Sequence, residues 1–298
     1  MTPSTMPVAD AHHHIWRLAD LTWLNGPTQP RIFGDYESLK RDYSIEDFRG
    51  DRAGAGVEKS VYIQVNWPAG QEVNEAAWVQ EVAEKSGWPH AIVGYVDFAA
   101  GDASATLKAL SQHSLMRGIR QQLHWHENPL YKFQPTPDLM NQAAWRKNFT
   151  LLQDYNWTFE LQVFASQMTD AARLAADFPA TQMILQHCGM PEDTSDAGRT
   201  LWRDGMKRLA DQPNIHCKFS GLGTFIHRND PGFIAEITGE CLDMFGAARC
   251  VFGSNYPIEK LWTEYGPIVD AFRAAVAHLP EAEQAMVLHD NAVTLYRL

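Results

Sequence analysis

The chain of 298 residues contains no apolar run near the roughly 20 residues that a membrane-spanning helix needs. Its opening segment, MTPSTMPVAD, also lacks the basic and apolar parts of a secretory signal peptide. We therefore expect a soluble, cytoplasmic protein that has no membrane partner.

Positive charge is scarce as well. The chain has 25 lysine and arginine residues against 36 aspartate and glutamate residues, which gives a formal net charge of −11 at pH 7. This balance disfavours binding to nucleic acid or to an anionic membrane surface through bulk electrostatics. Any anionic ligand must therefore be held by a local cationic pocket.

Cysteine is rare, and its spacing carries no metal or redox signature. The four cysteines form no CxxC pair and lie in different segments, at Cys188, Cys217, Cys241 and Cys250. The pattern therefore indicates neither a thiol metal site nor a redox motif. The simplest interpretation is four buried free thiols.

A glycine-rich turn after the first predicted strand is missing too, which disfavours a doubly wound nucleotide-binding sheet without excluding it. What the chain does contain is a regular alternation of β-branched runs and helical patterns, typical of a parallel sheet with crossover helices. The predicted strands are residues 8–15, 57–66, 91–98, 116–123, 158–164, 181–188, 214–222 and 249–255. The helical patterns between them include residues 71–86, 102–112, 137–153, 167–177, 197–211, 232–245 and 263–278. Eight such units predict one α/β domain over residues 1–298, a (β/α)₈ TIM barrel.

Two connections are longer than a barrel requires. Residues 17–43 and residues 124–136 both follow predicted strands, and both are rich in aromatic and charged side chains. In a barrel, loops that follow strands lie at the C-terminal face, where active sites are built. We expect these two loops to form lids or pocket walls, with a decorated surface loop as the alternative.

The first predicted strand carries a histidine pair. Because side chains alternate along a strand, Asp10, His12 and His14 share one face, and His13 points to the other. Two imidazoles spaced in this way can chelate one cation, although structural histidines are also common. Their place at the end of a barrel strand favours the metal site.

Polar side chains recur at the ends of the other predicted strands. They are Gln64, Asn66, Arg120, Gln122, Glu160, Gln162, His187, Lys218, Ser220 and Asn255. A barrel interior is ordinarily apolar, and each unpaired buried polar group costs about 1–3 kcal/mol. A structural hydrogen bond explains any single member, but the whole set predicts a polar, ligand-binding layer.

Six motifs in series carry a family resemblance: DAHHHIW, MRGIRQQLH, LQHCGMP, CKFSGLG, CVFGSNYP and LHDNAVTLYRL. Together they resemble the amidohydrolase-related branch of the amidohydrolase superfamily, over almost the whole chain. The lactonases that open sugar-acid lactones and pyrone or muconolactone rings are the most similar members. The resemblance implies a distorted barrel of the metal-dependent hydrolase type, often one divalent metal, and water attacking a carbonyl.

The resemblance also implies roles for individual residues. His12 and His14 match the metal pair of the family's first strand, and His187 matches a later histidine that binds metal or polarises the substrate carbonyl. Arg120 and Lys218 stand where cationic groups hold a substrate carboxylate or a developing oxyanion. We further expect three other side chains to contact the substrate: Gln122, His124 and Trp23.

One position departs from the family pattern. Family members commonly carry an aspartate at the end of the eighth strand, and this chain has Asn255 there. An amide cannot act as a general base at neutral pH, so another group must take that role, or hydrolysis by this route is lost. The candidates are the inward Glu160, Asp10 and His187 and the loop residues His124 and His126, and a histidine is the natural choice because its unperturbed pKa lies close to neutral pH. Glu160 is also a possible third ligand beside His12 and His14. The cofactor expectation is one divalent cation, zinc before others, or none.

We expect an enzyme, a hydrolase that opens a small anionic or polyhydroxylated lactone. The alternatives are a decarboxylase of the same superfamily and a non-catalytic binding protein for small molecules, since Asn255 also counts against catalysis. Ring opening of a lactone panel separates the first two, and binding without turnover indicates the third. The identity of the lactone and the oligomeric state stay open.

Overall fold

Eight parallel strands form the centre of the molecule, whose computed structural model describes residues 6–298. The strands are β1 (Val8–His13), β2 (Val57–Ile63), β3 (Ala91–Gly94), β4 (Met116–Arg120), β5 (Thr158–Leu161), β6 (Met183–Leu185), β7 (Ile215–Phe219) and β8 (Cys250–Phe252). Each pairs in parallel with the next, so the sheet order is the chain order. The predicted eight-stranded barrel is confirmed.

The barrel closes between β1 and the segment that follows β8. A parallel bridge joins His13 to Tyr256, and the His14 amide donates to the Tyr256 carbonyl oxygen at 2.8 Å. The Asn255 amide donates to the His12 carbonyl oxygen at 2.7 Å. Because a few such bonds replace a continuous ladder, the barrel is nearly closed and distorted at this seam.

The Asp10 carboxylate fastens the seam. Its Oδ1 accepts the backbone N–H groups of His12 at 3.0 Å and of Ser254 at 2.8 Å. Its Oδ2 accepts the Ser254 hydroxyl at 2.6 Å and the Tyr265 hydroxyl at 2.7 Å. From the sequence, Asp10 is one of several candidates for the proton-accepting group. The structure instead gives this fully buried carboxylate four donors and a role in barrel closure.

Twelve α-helices lie within residues 6–298. They are α1 (Thr22–Asn25), α2 (Ile45–Asp51), α3 (Glu72–Ser86), α4 (Ala103–Leu110), α5 (Ala143–Phe149), α6 (Met168–Asp177), α7 (Asp196–Ala210), α8 (Gly223–Ile226), α9 (Pro231–Phe245), α10 (Tyr265–Val276), α11 (Glu281–Ala285) and α12 (Asn291–Tyr296). All seven predicted helical segments contain a helix, and residues 137–153 include a 3₁₀ helix after α5. No described helix is long and apolar enough to cross a membrane.

The core has two parts. The larger lies between the barrel wall and the helices and includes the apolar faces of α6, α7, α9 and α10. The smaller fills the barrel interior and joins alternate strand residues such as Ala9, Val61, Val93 and Ile184 to Tyr296 of α12. The lower barrel is therefore packed and apolar, which leaves the C-terminal ends of the strands for a site.

Candidate active site

A cavity of about 210 Å³ lies at the C-terminal ends of the strands. Its lining includes one residue at the end of β4 and others just after β1, β2, β5, β6 and β8. These residues are His14, Asn66, Arg120, Gln162, His187 and Asn255. The polar strand ends noted in the sequence thus converge on one cavity, as a barrel active site requires.

The two long loops form much of the cavity wall. The first, residues 17–43, contributes Trp23, Arg31 and Phe33, and the Trp23 indole N–H is fixed by donation to the Val65 carbonyl oxygen at 2.8 Å. The second, residues 124–136, contributes His124 and the run from Pro129 to Phe133. Gln122, which lies just before this second loop, also lines the cavity.

The charge of the cavity is opposite to that of the chain. Arg31, Arg120 and Lys132 line it, and no aspartate or glutamate does so among the described residues. The Arg31 guanidinium lies 5.0 Å from the centre of the Trp23 ring, and the Lys132 ammonium lies 5.7 Å from that of Trp125. Both cations are therefore held against aromatic faces at the cavity wall.

Arg120 is the most buried of these cations. Its guanidinium donates to the Gln64 carbonyl oxygen, and the Gln64 amide donates back to the Arg120 carbonyl oxygen at 3.4 Å. Burial lowers the pKa of Arg120 to about 10, so the guanidinium remains charged at neutral pH. A buried guanidinium that has no carboxylate partner in the cavity can bind an anionic group of a ligand.

Several buried polar atoms of the lining have no hydrogen-bond partner within residues 6–298. They are Arg120 Nε, Gln122 Oε1, His124 Nδ1 and Gln162 Oε1. Buried polar groups in folded proteins are nearly always paired, with protein, water or ligand. This set of donors and acceptors therefore fits a ligand that carries several polar atoms.

Three histidines stand together at the base of the site. The His12 ring centre lies 5.0 Å from that of His14 and 4.8 Å from that of His187. The His14 Nδ1 is 2.7 Å from the Ile63 carbonyl oxygen, which fixes the proton on Nδ1 and leaves Nε2 with a lone pair. The His187 Nδ1 is 3.0 Å from the Ser220 hydroxyl.

The environment keeps these imidazoles neutral. Burial holds the pKa of His12 and of His187 well below the usual range, and nearby cations, among them Arg120 and Lys218, push in the same direction. Burial also lowers the pKa of His14 to about 3. Neutral imidazole is the form that binds a metal ion or accepts a proton.

The family resemblance implies a divalent metal, and the histidines are the donors that would hold it. Both ring nitrogens of His12 are buried and lack a hydrogen-bond partner among the described residues. A cation beside His12 and the Nε2 lone pair of His14 would satisfy that otherwise costly imidazole. The donor chemistry of His12 and His14 therefore fits one divalent ion.

The segment after β6 leaves strand geometry at His187. His187 and Cys188 have φ values of 54° and 52°, in the left-handed region that residues other than glycine rarely adopt. The turn directs the two side chains apart, so that His187 lines the cavity and Cys188 enters the hydrophobic core. Such strain is concentrated at functional sites.

Glu160 and Lys218 are placed differently from the expectation. The Glu160 carboxylate lies 2.7 Å from the Lys218 ammonium, and neither residue lines the cavity. Glu160 also accepts from the Tyr296 hydroxyl and from the Gln186 amide at 3.1 Å, and Lys218 donates to the Ala11 carbonyl oxygen at 2.9 Å. These bonds hold the two side chains inside the barrel, outside the lining of the cavity.

Asn255 lies at the cavity with a partner that the sequence did not reveal. It adopts a φ of 56°, its side chain is hydrogen-bonded to that of His14, and its amide nitrogen donates to Glu259 at 3.4 Å. Burial raises the pKa of Glu259 to about 7, and the Thr224 hydroxyl donates to the same carboxylate oxygen at 3.3 Å. The sequence signal that could have revealed this contact is the position of Glu259, four residues after Asn255 in the 3₁₀ turn of residues 258–261.

Comparison with known proteins agrees with this geometry. The family model described as amidohydrolase matches residues 9–298. The chain belongs to the amidohydrolase family. The resemblance seen in the sequence is confirmed, and the family match together with the lactonase relatives supports a hydrolase.

Individual relatives match over nearly the whole chain. An uncharacterized protein, y4mH of Sinorhizobium fredii, is 35% identical over 99% of this chain and 100% of its own length. L-fucono-1,5-lactonase of Burkholderia ambifaria is 28% identical over 86% of this chain and 82% of its own. An amidohydrolase of Burkholderia multivorans, solved with bound zinc, superposes with a TM-score of 0.82 at 25% identity, covering 98% of this chain and 99% of its own.

Proposed function

We propose that the protein hydrolyses a small lactone that carries a carboxylate and releases the corresponding hydroxy acid. The similarity to the L-fucono-1,5-lactonase of Burkholderia ambifaria supports lactone hydrolysis as the reaction class. The observation that carries the substrate class is the cavity lining, which has three cationic side chains and no described carboxylate. A neutral sugar lactone gives those cations no anionic partner.

Substrate binding follows from the positions of the cations. Arg120 is buried at the strand ends, so its guanidinium holds the substrate carboxylate close to the histidines. Arg31 and Lys132 lie on the two loops and add positive potential at the wall. The unpaired Gln122 and Gln162 oxygens accept hydrogen bonds from hydroxyl groups of the substrate.

His187 is the residue we propose for proton transfer, in place of the missing aspartate. We assign the Nδ1 proton to the 3.0 Å bond with the Ser220 hydroxyl, the tautomer that leaves the Nε2 lone pair for the cavity. As water oxygen bonds to the lactone carbonyl carbon, one water proton passes to Nε2. When the ring C–O bond breaks, the leaving ring oxygen takes that proton, so His187 ends neutral.

The developing oxyanion needs positive charge or hydrogen-bond donors beside it. A divalent ion at His12 and His14, for which we propose zinc, supplies polarisation of the carbonyl and a more acidic water when it is bound. Asn255, held by Glu259 and His14, orients water or substrate through its amide group. Asn255 thus acts by hydrogen bonding. His187 accepts the water proton that the family's aspartate would otherwise accept.

The test is a panel of acidic and neutral lactones, assayed for ring opening by acid release, alongside aromatic carboxylic acids assayed for carbon dioxide. We expect ring opening, loss of that activity in His187→Asn, and full activity in the matched exposed variant His278→Asn. Carbon dioxide release without ring opening would indicate the decarboxylase. Binding of lactones without turnover would indicate a binding protein, and either result would overturn the proposal.

A further inference from the structure

Three cysteine sulfurs converge in the hydrophobic core outside the barrel wall. Cys188 lies in the turn after β6, Cys217 in β7 and Cys241 in α9. Their sulfur atoms all lie within 4.8 Å of one another, and all three residues are fully buried. Among the residues described, this is the one set of three histidine, cysteine or acidic donors so closely grouped. The spacing of cysteines along the chain gave no sign of it.

The fold explains why the thiols meet. Lys218 points into the barrel towards Glu160, so its neighbour Cys217 points outwards to the helices. Cys241 lies on the buried face of α9, one turn from Ile237 and Phe245. The left-handed turn at Cys188 sends its thiol to the same place, and the Trp202 indole N–H fixes the turn by donating to the Cys188 carbonyl oxygen at 2.8 Å.

The surroundings select the ligand. Three thiolates would leave a net negative charge on a monovalent or divalent cation, and an uncompensated charge is costly in an apolar core. Tetrahedral zinc also needs a fourth ligand, and no fourth donor joins the described group. A trivalent, three-coordinate, thiophilic centre avoids both problems. Bonds to three thiolate sulfurs neutralise its charge and complete its coordination.

We propose that Cys188, Cys217 and Cys241 form a binding site for a trivalent thiophilic metalloid, of which arsenite is the probe. Arsenite is the neutral trihydroxide near pH 7, so it enters a transiently opened core more readily than a metal ion does. Three As–O bonds break and three As–S bonds form. Each thiol proton leaves with one hydroxide as water, so three waters are released and no oxidant is required.

A hydrogen bond of the Cys188 thiol that competes with this step is weak. The Cys188 thiol donates to the Lys218 carbonyl oxygen at 3.7 Å. The fourth cysteine, Cys250, is also fully buried and pairs in register with Cys217 on the neighbouring strand, but its sulfur does not belong to the close group. Cys250 is therefore a matched control.

The experiment incubates the reduced full-length protein with arsenite and measures intact mass under native conditions. We expect one arsenic per chain with loss of three hydrogens, abolished in Cys217→Ala and in Cys241→Ala and retained in Cys250→Ala. Release by a competing small dithiol is also expected. No adduct at excess arsenite, or equal loss in Cys250→Ala, would overturn the site.

A second measurement does not depend on the variants. X-ray absorption at the arsenic edge of the wild-type adduct should show three sulfur neighbours and no oxygen. A shell that keeps oxygen, or holds only two sulfurs, would contradict a three-cysteine site. This result decides the matter even where an alanine variant fails to fold.

Discussion

The Glu160 carboxylate and the Lys218 ammonium lie 2.7 Å apart inside the barrel, and both side chains are fully buried. The Tyr296 hydroxyl from the last helix and the Ala11 carbonyl oxygen from β1 complete their hydrogen bonds. The pair thus joins β1, β5, β7 and α12 below the cavity. We expect its contribution to be to the stability of the barrel, since neither side chain lines the cavity.

Removing one member of this pair should be costly. Lys218→Met leaves a buried carboxylate without its cation and should lower the free energy of unfolding by about 3–5 kcal/mol. The double variant Lys218→Met/Glu160→Gln removes both charges and should recover much of the loss. Urea denaturation of the two proteins measures the difference, and a loss below about 1 kcal/mol in the single variant would contradict the assignment.

The sequence predicted the strands well and their C-terminal ends poorly. The alternation of β-branched runs with helical patterns located all eight strands, because each buried strand has its own apolar run. The predicted ends at residues 15, 188 and 255 were too long, since the structural strands end at His13, Leu185 and Phe252. The backbone turns away from strand geometry where the site begins, and strand periodicity does not encode such turns.

The Asn255 position is the next test. In Asn255→Asp, the new carboxylate would face Glu259 where the amide nitrogen now donates at 3.4 Å. Two buried carboxylates in contact repel, so we expect no gain in kcat/KM and a loss of stability of about 1–3 kcal/mol. Asn66→Asp, at another cavity-lining asparagine with positive φ, is the control. A joint gain in metal content and kcat/KM in Asn255→Asp would mean that the native chain is a degenerate hydrolase.

Glu75 gives a prediction about pH and stability. This buried residue of α3 accepts from the Tyr62 hydroxyl at 2.8 Å and the Val65 N–H at 2.6 Å, and burial raises its pKa from 4.5 to about 7. A raised pKa in the folded state favours the neutral acid, so the stability from this group is complete below pH 4.5 and is lost as pH rises through about 7.

The Glu75→Gln variant isolates that effect. Its free energy of unfolding, relative to wild type, should increase by about 3 kcal/mol between pH 4.5 and pH 8, since one pKa unit is worth about 1.4 kcal/mol. The exposed residue Glu84 of the same helix provides the control Glu84→Gln, with no such trend. A difference that stays constant with pH would refute the buried-acid account.

Metal content tests the histidine pair. Protein purified without chelators should hold at most one divalent ion per chain, most of it zinc, because His12 and His14 offer one shared site. His12→Asn and His14→Asn should each reduce that stoichiometry towards zero in elemental analysis. His124→Asn, at the same cavity but outside the pair, should retain it. Two ions per chain, or full occupancy without His12, would contradict the site.

The candidate site was only partly readable from the sequence. Alternation along strands placed Arg120, Gln162 and His14 at one cavity, because these residues end strands or directly follow them. The same alternation did not place Glu160 and Lys218 correctly. Two residues can share a barrel face and still lie at different depths in the barrel. Tyr296 and the three-cysteine group depend on contacts between elements distant in the chain, which no local pattern contains.

The most direct test of the account compares an acidic lactone with its neutral methyl ester, as substrates of wild-type protein and of Arg120→Met. Wild type should show a higher kcat/KM for the acid. Arg120→Met should lose about 1.5–3 kcal/mol of binding to the acid, about ten- to a hundredfold in kcat/KM, with little change for the ester. Equal rates on acid and ester in wild type, or an unchanged rate on the acid in a folded Arg120→Met, would contradict the account.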